Sequence, residues 1–134
     1  MAHVHELIFC NRDAEALARL LAEHRRADAF VADASDALAE LTMDARFVAD
    51  DALPEGTVAL GSRVTYADAG ATRSVVVVEP ADADPAAGRI SVLSPIGLAL
   101  IGRRRGTLSE ARLPNGRTLG LRLLEVSAPL AAAA

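Results

Sequence analysis

The chain has 134 residues, enough for one domain or for one domain with a small appendage, and its formal net charge is −4. Hydrophobic residues make up 51% of the sequence but aromatic residues only 3%, so we expect an aliphatic core. No apolar run reaches the roughly 18 residues of a membrane span, and the first residues lack the basic character of a signal peptide. These features exclude a membrane partner and favour a cytoplasmic protein.

The charge is unevenly distributed along the chain. Residues 1–57 contain twelve acidic residues and five arginines, whereas residues 58–134 contain six acidic residues and nine arginines. This asymmetry predicts two modules. Because Pro54 lies in a polar linker and ends any preceding helix, we place a short helical hairpin in residues 1–52 and a second domain in residues 53–134.

Two helices are predicted in the first module. Asn11 is a good N-cap for a helix over residues 12–25, and Asp33 or Ser35 can cap a second helix. The apolar residues that recur at helical spacing along one face of that second helix are Leu38, Leu41, Ala45 and Val48, which we call its stripe. The short connection between the helices predicts an antiparallel pair, each helix roughly 21 Å long.

Acidic residues gather near the tip of this hairpin. Asp28, Asp33 and Asp36 could bring carboxylates to a magnesium ion. We favour the simpler interpretation that Asp33 caps a helix and that the others are solvated, since no acidic pair stands out.

The remaining metal-binding side chains of the first module give no stronger signal. His3, His5 and Glu6 lie together at the N-terminus without a second cluster, and Cys10, the only cysteine, has the setting of a small core residue. The sequence therefore predicts no metal site and no cofactor.

The pattern of the second module predicts five antiparallel strands, over residues 60–66, 73–79, 89–93, 107–113 and 118–126. Four consecutive valines over residues 75–78 favour a central strand covered on both faces. Gly70 marks one turn, and residues 114–117, with the sequence PNGR, mark a strong hairpin turn.

Residues 91–106 form the organising segment of this module. Ser94 can cap a short helix, and Pro95 suits its first turn. Gly102 is a natural left-handed stop, and residues 103–105 place three arginines beyond the helix.

Three arginines in a row also raise the possibility of nucleic-acid binding. The negative net charge and the scarcity of aromatic residues argue against it, and arginines are common at helix ends. No nucleophile elbow, phosphate-binding glycine loop or paired histidine is present. We therefore expect neither direct nucleic-acid contact nor an enzyme.

Three separated motifs, VALGSRVTYAD, RISVLSPIGLALIG and LPNGRTLGLRLLEV, stand at residues 58–68, 89–102 and 113–126. In this order and spacing they resemble the Gre transcript-cleavage factor superfamily, and most closely its regulator of nucleoside diphosphate kinase (Rnk) group. The resemblance implies an α+β fold in which a short N-terminal antiparallel coiled coil precedes a domain like that of the FK506-binding proteins (FKBP-like), an antiparallel sheet with one short helix.

The resemblance implies a non-catalytic bacterial transcription regulator that binds RNA polymerase near its secondary channel and competes with Gre cleavage factors. The Ser-Pro loop of those factors touches the channel rim, which assigns polymerase binding to Ser94 and Pro95, with Leu93 and Ile96 as apolar neighbours. Cleavage factors have a longer coiled coil with two acids at its tip, and this hairpin is too short for that reach. The name of the Rnk group reflects a link to nucleoside diphosphate kinase that no residue here explains.

Three alternatives remain open at this point. A generic interaction module would use the same fold with another partner, and a residual cleavage factor would use Asp28 and Asp33. A prolyl isomerase is disfavoured because the sheet contains only one aromatic residue, Tyr66. The oligomeric state, the controlling signal and the direction of the effect on transcription are not predicted.

Overall fold

The computed structural model describes residues 7–23 and 29–129, the side chains of residues 29–33 excepted, and within them lie three α-helices and seven strands. The helices are α1 (Asn11–Glu23), α2 (Ala29–Met43) and α3 (Pro95–Leu100). The strands are β1 (Ile8–Cys10), β2 (Arg46–Val48), β3 (Arg63–Asp68), β4 (Ala71–Val78), β5 (Arg89–Ser91), β6 (Leu108–Arg112) and β7 (Thr118–Val126). The predicted α+β class is confirmed.

The two long helices begin earlier than the polar residues suggested. Asn11 is the first residue of α1 rather than the residue before it. Helix α2 begins at Ala29, so Asp33 and Ser35 lie inside the helix and the prediction that either caps it is wrong. Alanine has the highest helix propensity, which lets the alanine-rich segment extend the helix past these residues.

Two short strands, one before α1 and one after α2, pair with each other in parallel. Strand β2 pairs in parallel with β1, and the backbone N–H of Arg46 donates to the carbonyl oxygen of Leu7 at 2.8 Å. The predicted continuation of the α2 stripe to Ala45 and Val48 is therefore wrong. Phe47 and Val48 favour extended backbone, and the Phe47 ring lies 6.0 Å from that of Phe9.

The main sheet has five strands in the order β5-β4-β3-β7-β6. Strands β4 and β3, β3 and β7, and β7 and β6 pair antiparallel, but β5 is parallel to β4. The prediction of a fully antiparallel sheet is wrong at this strand. Two 3-10 turns within residues 79–88 bring the chain back alongside Val76, opposite which β5 begins.

Most of the predicted strand positions are confirmed. Strand β7 has the predicted bounds, whereas β3 begins at Arg63 rather than at residue 60. Ala69 and Gly70 have φ values of 43° and 89°, as expected for a two-residue turn between twisted antiparallel strands. Val76 and Val77 point to opposite faces of β4, and both are buried, as predicted for a central strand.

One hydrophobic core joins the helical layer to the sheet. Its fully buried members come from every layer: Leu17 of α1, Leu38 of α2, Leu100 of α3, and Val64, Val77 and Leu123 of the sheet. The division at residues 52 and 53 stays a prediction. Among the described residues, none of the helices has the length and apolar character needed to cross a membrane.

Candidate functional site

The predicted binding loop is a rigid helix start. Ser94 has extended backbone, and its Oγ accepts a hydrogen bond from the N–H of Gly97 at 3.1 Å and donates to the carbonyl oxygen of Ser91 at 2.6 Å. Pro95 is the first residue of α3, where no backbone donor is lost. The predicted roles of Ser94 as N-cap and of Pro95 as first-turn residue are confirmed.

Gly97 allows this helix start to lie directly on the end of β5. A Cβ atom at position 97 would lie 2.1 Å from the carbonyl oxygen of Ser91 and 2.9 Å from the Cα of Val92. Both neighbours are backbone atoms, so no side-chain rotation can make room. Gly97 was not among the predicted site residues, although a glycine within an apolar helical segment often signals close backbone packing.

The predicted site residues lie together at the surface of this junction. Leu93, Ser94, Pro95 and Ile96 are all half-buried, and Leu93 and Ile96 pack against the core. Further along α3, the Ala99 carbonyl oxygen accepts a hydrogen bond from Ser109 Oγ at 2.7 Å, which fixes the helix to β6. The loop therefore presents a fixed apolar edge rather than an adaptable chain.

The chain leaves α3 through an equally fixed connection. Gly102 has a φ of 77°, as predicted for a left-handed stop, and a Cβ there would lie 2.7 Å from the Phe9 ring. Its backbone N–H donates to Val58 and its carbonyl oxygen accepts from Ile8, both at 3.0 Å. The end of the short helix thus holds β1 beside the sheet domain.

The three arginines that follow occupy different environments. Arg104 and Arg105 are exposed, but Arg103 is half-buried and burial lowers the pKa of its guanidinium. Its Nε atom is buried and has no hydrogen-bond partner among the residues described. A groove of about 390 Å³ runs beside it between α2, α3 and β6, and its lining includes Pro95, Leu98, Glu110 and Arg112.

A second polar junction, which no sequence pattern predicted, holds the start of α1. Asp13 is only 3% exposed, and its carboxylate accepts a hydrogen bond from the N–H of Leu60 at 2.9 Å and another from the Cys10 thiol. The N–H of Arg12 donates to Asp50 Oδ1 at 2.8 Å. Desolvation raises the pKa of Asp13 above its ordinary range.

Cys10 is buried, as predicted for a core residue, and burial raises the pKa of its thiol. Its sulfur also accepts a hydrogen bond from the N–H of Asp13. Cys10, rather than the predicted Asn11, is therefore the N-cap residue of α1. No local pattern marks this role, because cysteine is not a preferred N-cap residue.

The remaining predicted acids and metal ligands are not brought into a described site. Asp28, together with His3, His5 and Glu6, lies outside the described residues, and for Asp33 only the helical backbone is described. Within the described part of the chain, no three histidine, cysteine, aspartate or glutamate residues are grouped closely enough to bind a metal ion. A role for Asp28 and Asp33 stays a prediction.

Residues 53–128 match the model of the family described as transcription elongation factor, GreA/GreB, C-terminal. The matched range is more than half of the chain and contains the whole Ser94-Pro95 junction. The chain belongs to the GreA/GreB family. The resemblance to the Gre superfamily drawn from the three sequence motifs is thereby confirmed.

Individual members of the GreA/GreB family are similar to this chain over different lengths. It is 44% identical over 69 residues to the transcription elongation factor GreA of Thermomicrobium roseum, covering 52% of this chain and 44% of that protein. It is 39% identical over 74 residues to GreA of Streptococcus gordonii, covering 54% and 46%. The chain thus spans less than half the length of these curated relatives.

One solved structure is similar over almost the whole chain. The prokaryotic transcription elongation factor GreA/GreB from Nitrosomonas europaea is 31% identical with a TM-score of 0.71, and the match covers 92% of this chain and 100% of that one. The arrangement of a short helical pair and a five-stranded sheet is therefore not peculiar to this sequence.

Proposed function

We propose that this protein binds bacterial RNA polymerase near the secondary channel through Leu93, Ser94, Pro95 and Ile96. The observation that supports the proposal is the rigid, half-buried junction at the start of α3, within the range that matches the GreA/GreB family. As the resemblance implies, the Ser-Pro loop of that family is the element that touches the channel rim.

The hydrogen bonds of the junction suggest how such a contact is made. The Ser94 hydroxyl donates to Ser91 and accepts from Gly97, so it has only one lone pair left for a partner. The contact would therefore depend on the shape of the loop and on the apolar surfaces of Leu93, Pro95 and Ile96. A preformed loop loses little conformational entropy on binding, which favours affinity.

We further infer that the protein is a non-catalytic regulator of the Rnk type that competes with Gre cleavage factors for the channel rim. Helices α1 and α2 have 13 and 15 residues, or roughly 20 and 22 Å. Both pack on the sheet domain through core leucines, which shortens their reach beyond it. The coiled-coil and FKBP-like character of the two parts belongs to this proposal.

A transcript-cleavage factor is the second candidate. The names of the curated relatives, transcription elongation factor GreA, favour it. That activity would depend on Asp28 and Asp33 and on magnesium. The family match begins at residue 53 and so lends the hairpin no direct support.

The test is binding of the full chain to RNA polymerase core enzyme, with a Gre cleavage factor as competitor. Pro95→Ala and Ser94→Ala should weaken binding, whereas Ser94→Thr, which keeps the capping oxygen, should not. Thr72→Ala is the matched control, because Thr72 is exposed at the opposite end of the sheet. Circular dichroism establishes that each variant is folded.

Saturable binding that the competitor displaces supports a site at the channel rim. Absence of binding by a folded protein would overturn the proposal and leave the generic interaction module. Stimulation of magnesium-dependent cleavage in stalled complexes, lost in an Asp28→Asn, Asp33→Asn double variant, would replace the non-catalytic proposal with the second candidate.

A further inference from the structure

The two edge strands of the five-stranded sheet differ in whether their outward backbone groups are hydrogen-bonded. At the β5 edge, the chain covers itself, since the N–H and carbonyl oxygen of Asp84 bond to the carbonyl oxygen and N–H of Arg89 at 2.8 and 3.0 Å. Strand β6 forms the other edge and pairs only with β7 in the described sheet. Leu108, Glu110 and Arg112 are exposed along it, Leu108 to 58%.

The register shows which backbone groups of β6 face away from β7. Hydrogen bonds join Leu123 to Thr107 at one end of the β6–β7 ladder and Leu113 to Arg117 at the other. Because bonded pairs alternate in an antiparallel ladder, Ser109 and Ala111 must turn their backbone groups toward β7. The N–H and carbonyl groups of the three alternate residues, 108, 110 and 112, therefore point away from the sheet.

We propose that the β6 edge pairs with the β6 edge of a second copy of this chain, antiparallel about a two-fold axis through Ala111. In this register, Glu110 of each copy lies opposite Arg112 of the other. Both residues direct their backbone groups outward, so the two pairs can exchange four backbone hydrogen bonds. Strand addition of this kind joins two five-stranded sheets into one continuous sheet.

Charge selects this register and this partner. Charged side chains on an edge strand normally oppose strand addition. Here, the opposite charges at positions 110 and 112 become mutually complementary when the strand meets its own copy. A two-fold axis through Glu110 would instead place the two Glu110 side chains opposite each other, which is unfavourable.

The ends of the contact limit its length. In the proposed register, Leu108 lies opposite Pro114 of the second copy. Pro114 has no N–H to continue the ladder, but its ring can cover part of the exposed Leu108 side chain. A contact confined to residues 108–114 is smaller than a standard protein interface, so we expect a reversible, concentration-dependent dimer.

Dimerisation would also affect the candidate binding loop. Glu110 and Arg112 line the same groove as Pro95 and Leu98, so the added strand would lie beside the start of α3. If the loop binds polymerase, self-association and polymerase binding would compete. This consequence alone rests on the proposed function.

The test is sedimentation of the purified full chain, without polymerase, over a range of concentrations up to about 1 mM. Glu110→Arg and Arg112→Glu each place like charges opposite each other and should weaken self-association about tenfold or more. Mixed together, these two variants carry complementary strands and should form a one-to-one dimer. The double variant with both substitutions should associate with itself again.

Glu125→Arg is the matched control. It makes the same charge change on an exposed residue of β7, an interior strand, and should leave self-association unchanged. A wild-type chain that stays monomeric throughout would overturn the proposal, and so would a dimer indifferent to both edge variants or weakened equally by Glu125→Arg. Because polymerase is absent, these outcomes are independent of the proposed function.

Discussion

The protein enters a helix from a short strand twice, and the two junctions differ in how far away in the sequence their hydrogen-bond partners lie. At the start of α3, every capping partner lies within three residues of Ser94, since Ser91 and Gly97 supply both hydrogen bonds of its hydroxyl. At the start of α1, the Cys10 thiol is a local partner of Asp13. The N–H of Arg12 and the carboxylate of Asp13, however, bond to Asp50 and Leu60, which lie 38 and 47 residues away.

The difference shows what a local pattern can reveal. Ser-Pro before an apolar segment is a recognisable helix start because the cap and its acceptor are neighbours in sequence. Asn11 is also a preferred N-cap residue, but it lies inside α1. The buried Asp13 carboxylate connects that helix to the loop before β3. The end of a helix that lies in the core can therefore be held by hydrogen-bonding groups from distant parts of the chain.

The largest expected effect is at the local junction. Gly97→Ala should reduce the free energy of unfolding by about 3 kcal/mol, because the added methyl group would collide with the backbone of Ser91 and Val92. Gly120→Ala is the control, since a Cβ at that position meets nothing within 4 Å. Denaturant titration measures both, and similar values for the two variants would show that the α3 junction can relax.

At the long-range junction, Asp13→Ala should cost about 2 kcal/mol, because it leaves the N–H of Leu60 without an acceptor and opens space in a buried site. Asp13→Asn keeps a carbonyl oxygen in place and should cost less. Equal losses for the two variants, measured by denaturant unfolding, would assign the effect to the charge rather than to the hydrogen bond.

A direct comparison of the two caps has a smaller expected effect. Ser94→Ala should cost about 1 kcal/mol, because it removes the acceptor of Gly97. Asn11→Ala, a similar polar truncation at the other junction, should change stability by less than about 0.5 kcal/mol. Thermal or denaturant unfolding that gives the reverse order would contradict the contrast between local and long-range capping.

The smallest expected effect is a pH dependence at Asp13. An acid with a raised pKa in the folded state holds its proton better there than in the unfolded chain. The stability of the wild type relative to Asp13→Asn should therefore fall as pH rises from the ordinary pKa of aspartate through the raised value. An opposite slope would mean that hydrogen bonding outweighs desolvation at this carboxylate.

The strands of the sheet show the same difference between local and long-range interactions. The PNGR turn and the leucine alternation predicted β7 with its observed bounds, because both signals act within one hairpin. The parallel direction of β5 could not be read in this way, since it depends on where residues 79–88 return to the sheet. The polar setting of Asp13 was equally invisible, because its partner Leu60 belongs to another part of the chain.

By itself, the sequence determined the α+β class, most of the strands, the cap at Ser94 and the left-handed stop at Gly102, and the three motifs that identify the family. These features depend on residues that are close in the chain, where propensity and capping act directly. Only the tertiary structure decided the bonds from Arg12 and Asp13 to Asp50 and Leu60, that β5 is parallel, and that β6 is an edge strand of the described sheet. Each of these depends on which distant backbone donors and acceptors meet, and no local pattern records that.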